Sequence, residues 1–147
     1  MHLIIKDLVE GLTAFGSTAF YGFVIVLSLI YSMYILAAQL IIAYVLSLVI
    51  VVIIKSVYFR ERPKKMKAVT FLEKMGASSF PSLHSMRVIM LAIFCSVSLQ
   101  NFYVTILSIV LVVVTGVTRV VMKRHYVTDV FAGFLFGAVL ALVMIIV

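Results

Sequence analysis

The polar positions of this chain fall in clusters, and long apolar runs separate them. No Asp, Glu, Lys or Arg occurs from Gly11 to Ile54, from Val88 to Thr118, or from Val130 to Val147. The first run holds 44 residues. As a single helix it would reach ~66 Å, roughly twice the ~30 Å hydrocarbon core of a bilayer. It therefore predicts two helices that fold back near Tyr34–Gln39. The second run is interrupted by Gln100-Asn101 and predicts another hairpin. The third is long enough for one span. The expected helices are 15–35, 38–57, 82–99, 102–123 and 127–146.

The N-terminal segment has a different pattern. From His2 to Leu12, the apolar residues Ile5, Leu8, Val9 and Leu12 share one helical face, with Lys6, Asp7 and Glu10 elsewhere. It is too charged to span and fits a short helix lying in the membrane interface. No basic stretch leads into an apolar core and a small-residue cleavage site, so a secretory signal is not expected.

Composition agrees with the pattern. The 147 residues are 65% hydrophobic and 12% charged, with a mean hydropathy of +1.31. A soluble core of this size would leave too much apolar surface in water. The expected fold class is all-α: a polytopic membrane helix bundle of about five spans with a short N-terminal interfacial helix, forming one domain over 1–147. Cys95 is the only cysteine and excludes a disulfide within the chain.

Three short patterns sit at the ends of the expected spans. They are Lys55-x6-Arg62-Pro63, Pro81-Ser82-Leu83-His84, and Arg119-x5-His125-x3-Asp129. Lys55 ends the second span, Ser82 and His84 begin the third, Arg119 ends the fourth, and His125 and Asp129 begin the fifth. In an antiparallel bundle these ends all lie on one side of the membrane. Residues spread over 75 positions of the sequence thus converge at one interface.

The residue types suit phosphoryl transfer, where catalysis is mostly positioning and electrostatic stabilisation. Lys55 supplies a point charge, and Arg62 and Arg119 supply planar forks that grip two oxygens at once. The start of the third helix adds backbone N–H groups near Ser82 and Leu83. His125 and Asp129 lie four apart on one helical face. Asp129 can then accept the Nδ1 proton of His125 and leave Nε2 free as a nucleophile. His84 remains to protonate the leaving alkoxide. No metal-ligand cluster is apparent, and no cofactor is expected.

These patterns resemble the type 2 phosphatidic acid phosphatase superfamily, which also contains vanadium haloperoxidases. The family pattern reads K-x6-R-P, P-S-G-H and S-R-x5-H-x3-D. The resemblance covers residues 55–129, about half the chain. It implies His125 as a phosphohistidine nucleophile, Asp129 as its orienter and His84 as general acid. It implies Lys55, Arg62, Ser82, the Leu83 amide and Arg119 as phosphate ligands. There are three departures. Leu83 stands where the family has Gly, which restricts the loop if φ must be positive. Thr118 replaces Ser. The spans number about five where many relatives have six.

Other features have plainer readings. Alone, Lys55 and Arg62 would read as interfacial anchors; within the pattern they read as phosphate ligands. Thr118 reads as an ordinary helix-end residue. Gly133-xxx-Gly137 reads as a close helix contact. Lys64, Lys65, Lys67 and Lys74 make a basic loop that either meets anionic head groups or funnels anionic substrate. All twelve Lys and Arg fall on the site side, so the positive-inside rule places the site in the cytoplasm. Many members of the family face outward, and the two warrants oppose one another.

The leading reading is a multi-pass lipid phosphate phosphatase of the cell membrane, metal-independent and acting through a phosphohistidine. Its partners are the bilayer and a lipid phosphate, with no nucleic acid and the oligomer left open. Candidate substrates are phosphatidic acid, phosphatidylglycerol phosphate and polyprenyl diphosphates. The alternatives are a non-catalytic membrane protein that binds anionic lipids or scaffolds a partner, and a phosphotransferase that uses a second alcohol.

Overall fold

The computed structural model describes residues 11–64 and 70–146. The expected interfacial helix falls almost wholly outside the described residues, as do Lys65 and Lys67. A 3₁₀ turn, Thr13–Gly16, leads into six helices: α1 Thr18–Ile30, α2 Tyr34–Val57, α3 Phe71–Ala77, α4 Leu83–Leu99, α5 Phe102–Val121 and α6 Val127–Ile146. The described residues hold no strand, only an isolated antiparallel bridge between Glu61 and Ser78.

Local chemistry sets the boundaries. Gln100 adopts the left-handed conformation (φ 45°) and ends α4, while the Asn101 side chain accepts from the N–H groups of Tyr103 and Val104 and caps α5. That pair makes the predicted hairpin. The first hairpin turns earlier than expected, at Tyr31–Met33. Ser32 takes φ 57° and the Met33 N–H reaches the Ser28 carbonyl.

The first expected span, 15–35, is corrected to the 13 residues of α1. Its start is delayed because Gly16 lies against the first turn of α4. A Cβ at Gly16 would sit 2.8 Å from the His84 carbonyl oxygen, so only glycine fits this approach. Ser17 then caps α1 by accepting from the Phe20 N–H. Three helices, α2, α5 and α6, are long and apolar enough to cross a bilayer; α4 has 17 residues and α1 has 13. The two shorter apolar helices, α4 and α1, complete the bundle, so the five expected helices are all present and α1 is the one that is much shorter than expected.

Helix α4 is the centre, packed against α6, α5 and α2. Its Met86, Met90, Leu91 and Phe94 form the core with Tyr21 of α1, Leu36, Leu40, Ala43 and Val51 of α2, and Ala141 of α6. The outer faces are equally apolar: Val45, Val49 and Val52 of α2, Ile106, Val110 and Val113 of α5, and Leu135, Val139 and Val143 of α6 are all exposed. Helices apolar on every side are at home in lipid. This is a helical membrane bundle.

Gly133 and Gly137 bring α6 onto the start of α4. A Cβ on Gly133 would collide with the Ser82 carbonyl oxygen, and one on Gly137 with the Met86 carbonyl oxygen. Backbone cannot yield as a flexible side chain does. Gly133→Ala should therefore lower thermal stability in detergent by about 1–3 kcal/mol, the usual range for overpacking, and displace Ser82. An unchanged melting temperature would show that α4 and α6 can separate freely here.

Candidate active site

The site is built where the ends of α2 and α5 meet the starts of α4 and α6, over the segment between α2 and α4. Residues 58–61 run extended and are stapled to Ser78 and Ser79. The Ser79 N–H donates to the Arg60 carbonyl (2.8 Å), and its hydroxyl to the Glu61 carbonyl (3.3 Å). The Lys64 N–H reaches the Lys123 carbonyl at 2.9 Å, tying this segment to the α5–α6 connection.

Helix α3 lies within this segment and was not expected. Its signal was present in the sequence as Thr70-x-x-Glu73. The Thr70 N–H donates to Glu73 Oε2 (2.9 Å), and the Glu73 N–H to Thr70 Oγ1 (3.2 Å), a reciprocal cap. The last carbonyls of a helix lack partners within it and carry negative partial charge. Two site cations use them. Lys55 Nζ donates to the carbonyls of Met75 (3.3 Å) and Ser78 (2.9 Å), and Arg62 Nη2 to that of Gly76 (2.6 Å).

His125 follows α5 and is 3% exposed. Its Nδ1 lies 2.7 Å from the Ser79 carbonyl oxygen. A carbonyl only accepts, so Nδ1 carries the proton and the neutral ring presents a bare Nε2. Nε2 lies 3.5 Å from Arg119 Nη2. Backbone bonds fix this approach, since the N–H groups of Arg124 and His125 both donate to the Arg119 carbonyl at 3.2 Å.

Asp129 was expected to accept the Nδ1 proton of His125, and here the structure differs. Its Oδ2 is 3.9 Å from Nδ1, and the Ser79 carbonyl takes the proton instead. Asp129 is fully buried and otherwise engaged. Oδ1 receives Arg60 Nη1 at 2.8 Å, and Oδ2 receives the Tyr126 N–H at 2.8 Å. The carboxylate thus closes the first turn of α6, where the helix dipole favours it.

Arg60 has no place in the three sequence patterns. It reaches Thr128 Oγ1 at 2.7 Å as well as Asp129, and its guanidinium stacks 4.2 Å over the Tyr126 ring. The available signal was its spacing: on an extended segment, residues two apart point to the same side, so Arg60 accompanies Arg62.

The second pattern forms the N-terminus of α4. Ser82 is its cap. The Ser82 Oγ accepts from the Ser85 hydroxyl (2.8 Å) and N–H (3.4 Å), which leaves its own O–H able to donate. The Ser82 N–H is not free, contrary to expectation; it donates to the Asp129 carbonyl at 3.0 Å. Leu83 occupies the first helical position and is not among the positive-φ residues. A side chain in place of the family's glycine is therefore accommodated without strain. His84 comes next, half-buried, in the field of Arg119, then Arg87, Arg62 and Arg124. Thr118 Oγ1 donates to the Thr115 carbonyl of its own helix.

Electrostatics follow from this crowding. Arg62 and Arg119 each keep a buried Nε without a partner among the described residues. Burial first, and then the charges of Arg119 and Arg62, push the His125 pKa from 6.5 down to about 3. His125 is thus neutral throughout the physiological range. As pH falls, the unfolded chain takes up this proton first. Stability should be level above pH 6.5 and decline from there toward pH 3, by on the order of a few kcal/mol. His125→Asn should flatten that decline in melting curves taken in detergent between about pH 7 and 4. An identical pH profile in the variant would show that this histidine is not held neutral by the fold.

Among the described residues, no three His, Cys, Asp or Glu side chains gather in a metal-binding group. The arrangement instead offers cations and hydroxyl and amide donors to an anion, around one bare imidazole nitrogen.

Comparison with known proteins places this architecture. No curated protein matches the sequence. Two solved structures share the fold. One is LpxE of Aquifex aeolicus, with a TM-score of 0.83 and 19% identity, covering 100% of this chain and 88% of that one. The other is described as the first transmembrane PAP2 type phosphatidylglycerolphosphate phosphatase, from Bacillus subtilis. It has a TM-score of 0.71 and 23% identity, covering 95% of this chain and 74% of that one. A family model described as the PAP2 superfamily matches residues 36–147, about three quarters of the chain, and so takes in all three patterns and every helix end that builds the site. This chain belongs to the PAP2 superfamily and is a phosphatase.

Proposed function

We propose that this protein is a multi-pass membrane enzyme that hydrolyses a phosphomonoester or diphosphate of a lipid through a phosphohistidine on His125, without a metal. The observation that carries the reading is the pairing of the His125 Nδ1–H with the Ser79 carbonyl, which leaves Nε2 bare beside Arg119.

Lys55, Arg62, Arg119, the Ser82 hydroxyl and the Leu83 amide bind the phosphoryl oxygens. The carbonyls that now hold Lys55 and Arg62 are weak partners, and a phosphate dianion replaces them favourably. His125 Nε2 forms a bond to phosphorus as the bond to the leaving oxygen breaks. That oxygen takes a proton from His84. Water then attacks phosphorus, His84 accepts its proton, and the N–P bond breaks to release inorganic phosphate. Asp129 sits behind this centre, holding Arg60 and the α6 N-terminus against the Ser82 loop.

The bundle presents this site to the interface. The α1–α2 turn at Ser32–Leu36 lies beside Ser98, near the α4–α5 turn and opposite the site. Helix α1 and the 3₁₀ turn before it therefore run from the level of His84 to that of Ser98, and the polytopic reading treats α1 as a short crossing. A phosphate-release screen in detergent with EDTA, over phosphatidic acid, phosphatidylglycerol phosphate and a polyprenyl diphosphate, tests the reading. Turnover on at least one is expected. No release on any, from folded protein, would contradict it.

A further inference from the structure

Arg87 is a charged residue for which the mechanism above has no use. It lies in α4, three residues after His84 and on the same face, about 4.5 Å further along the axis. That places it on the membrane side of the general acid. The Arg87 guanidinium is held between Thr18 at the start of α1 and Tyr44 of α2. Its field reaches the His84 ring.

The surroundings do not neutralise it. Arg87 is 4% exposed. Its Nη1 donates to Thr18 Oγ1 (3.0 Å) and its Nη2 to the Tyr44 hydroxyl (3.3 Å), and the guanidinium lies 4.8 Å from the Tyr44 ring centroid. Its Nε is buried without a partner, and no carboxylate pairs with it among the described residues. A buried cation held only by hydroxyls and a ring is costly in a bilayer, and intramembrane charges of this kind mark ligand paths.

Beyond Arg87, toward the membrane interior, the lining is apolar. A cavity between α1, α4 and α5 begins at Val88 and Phe20 and continues past Leu91 and Cys95 to Leu99 and Leu107. Along α4 this is roughly 16 Å, about half the hydrocarbon core. The order from the interface inward is therefore phosphate cluster, His84, one lone cation, apolar groove.

On the phosphatase reading, we infer that Arg87 binds a second phosphate carried by the leaving group, so that the enzyme favours lipids with two phosphates over lipid monophosphates. His125 attacks the terminal phosphorus and the bond to the adjoining oxygen breaks. That oxygen departs with its electron pair on a leaving group that still bears one phosphate, paired to Arg87, with its chain in the groove. Water then releases the terminal phosphate from His125.

The test measures kcat/KM, in detergent with EDTA, on two matched pairs. One is farnesyl diphosphate against farnesyl monophosphate, where the phosphates adjoin. The other is phosphatidylglycerol phosphate against phosphatidic acid of the same chains, where a glycerol separates them. The wild type should prefer the two-phosphate member in one pair, and the pair that responds identifies the spacing. Arg87→Gln should lower kcat/KM on that member about 10–100-fold more than on its monophosphate, a range that a hydrogen bond to a charged group supports. Arg87→Lys should retain part of the preference. Absence of a preference in both pairs, which needs no variant to observe, would overturn the inference while leaving the phosphatase intact. Equal loss on both members in Arg87→Gln would also overturn it, making Arg87 structural. No phosphate release from any of the four would overturn the phosphatase reading itself.

Discussion

Replacing His125 with alanine should abolish phosphate release, by roughly 10⁴–10⁶-fold as for loss of a nucleophile elsewhere. The loss must be separated from misfolding, because alanine also strips the Ser79 carbonyl of its donor, which destabilises by about 1–3 kcal/mol. His125→Asn makes that separation. Its amide can donate to Ser79 as Nδ1 does, yet it offers no nucleophilic nitrogen. Both variants should be inactive, with Asn the more stable. Substantial turnover in well-folded His125→Asn would rule out the phosphohistidine.

His84→Ala should show a loss that depends on the leaving group. A lipid alkoxide leaves badly without a proton, and general acid catalysis contributes about 10²–10⁴-fold. A nitrophenolate needs little help. The variant should lose most of its kcat/KM on a lipid monophosphate and keep much more on p-nitrophenyl phosphate. His125→Ala should lose both alike, since attack precedes any effect of the leaving group. The same fractional loss on both substrates in His84→Ala would make His84 a phosphate ligand or a structural residue.

Much of the bundle was legible in the chain. Helices α4, α5 and α6 lie within two residues of their expected bounds, because Ser82, Asn101 and the charged Arg119–Asp129 segment mark them by composition. The length of α1 was not legible. Its limit is the contact of Gly16 with His84, a tertiary approach that leaves no periodic trace. Helix α3 could have been read from Thr70 and Glu73, but its seven residues fall in a polar loop where no apolar period competes.

The convergence of the three patterns followed from antiparallel topology alone. The partner of His125 did not. Spacing four apart places Asp129 on the right face, but a backbone carbonyl from a connecting segment takes the proton, and backbone groups have no sequence signature. Arg60 then becomes intelligible, because a buried carboxylate not spent on the histidine needs a cation. The role of Arg87 was hidden for the opposite reason. It lies outside the family pattern, and only its burial in the bundle sets it apart from an interfacial anchor.

The most direct measurement is to trap the intermediate. A lipid phosphate radiolabelled at its terminal phosphorus is turned over in EDTA, quenched in alkali, where phosphohistidine survives, and mapped by peptide. The label should appear on the peptide containing His125 and be lost on acid treatment. Rapid phosphate release with no label on protein, or label on His84 instead, would contradict the account.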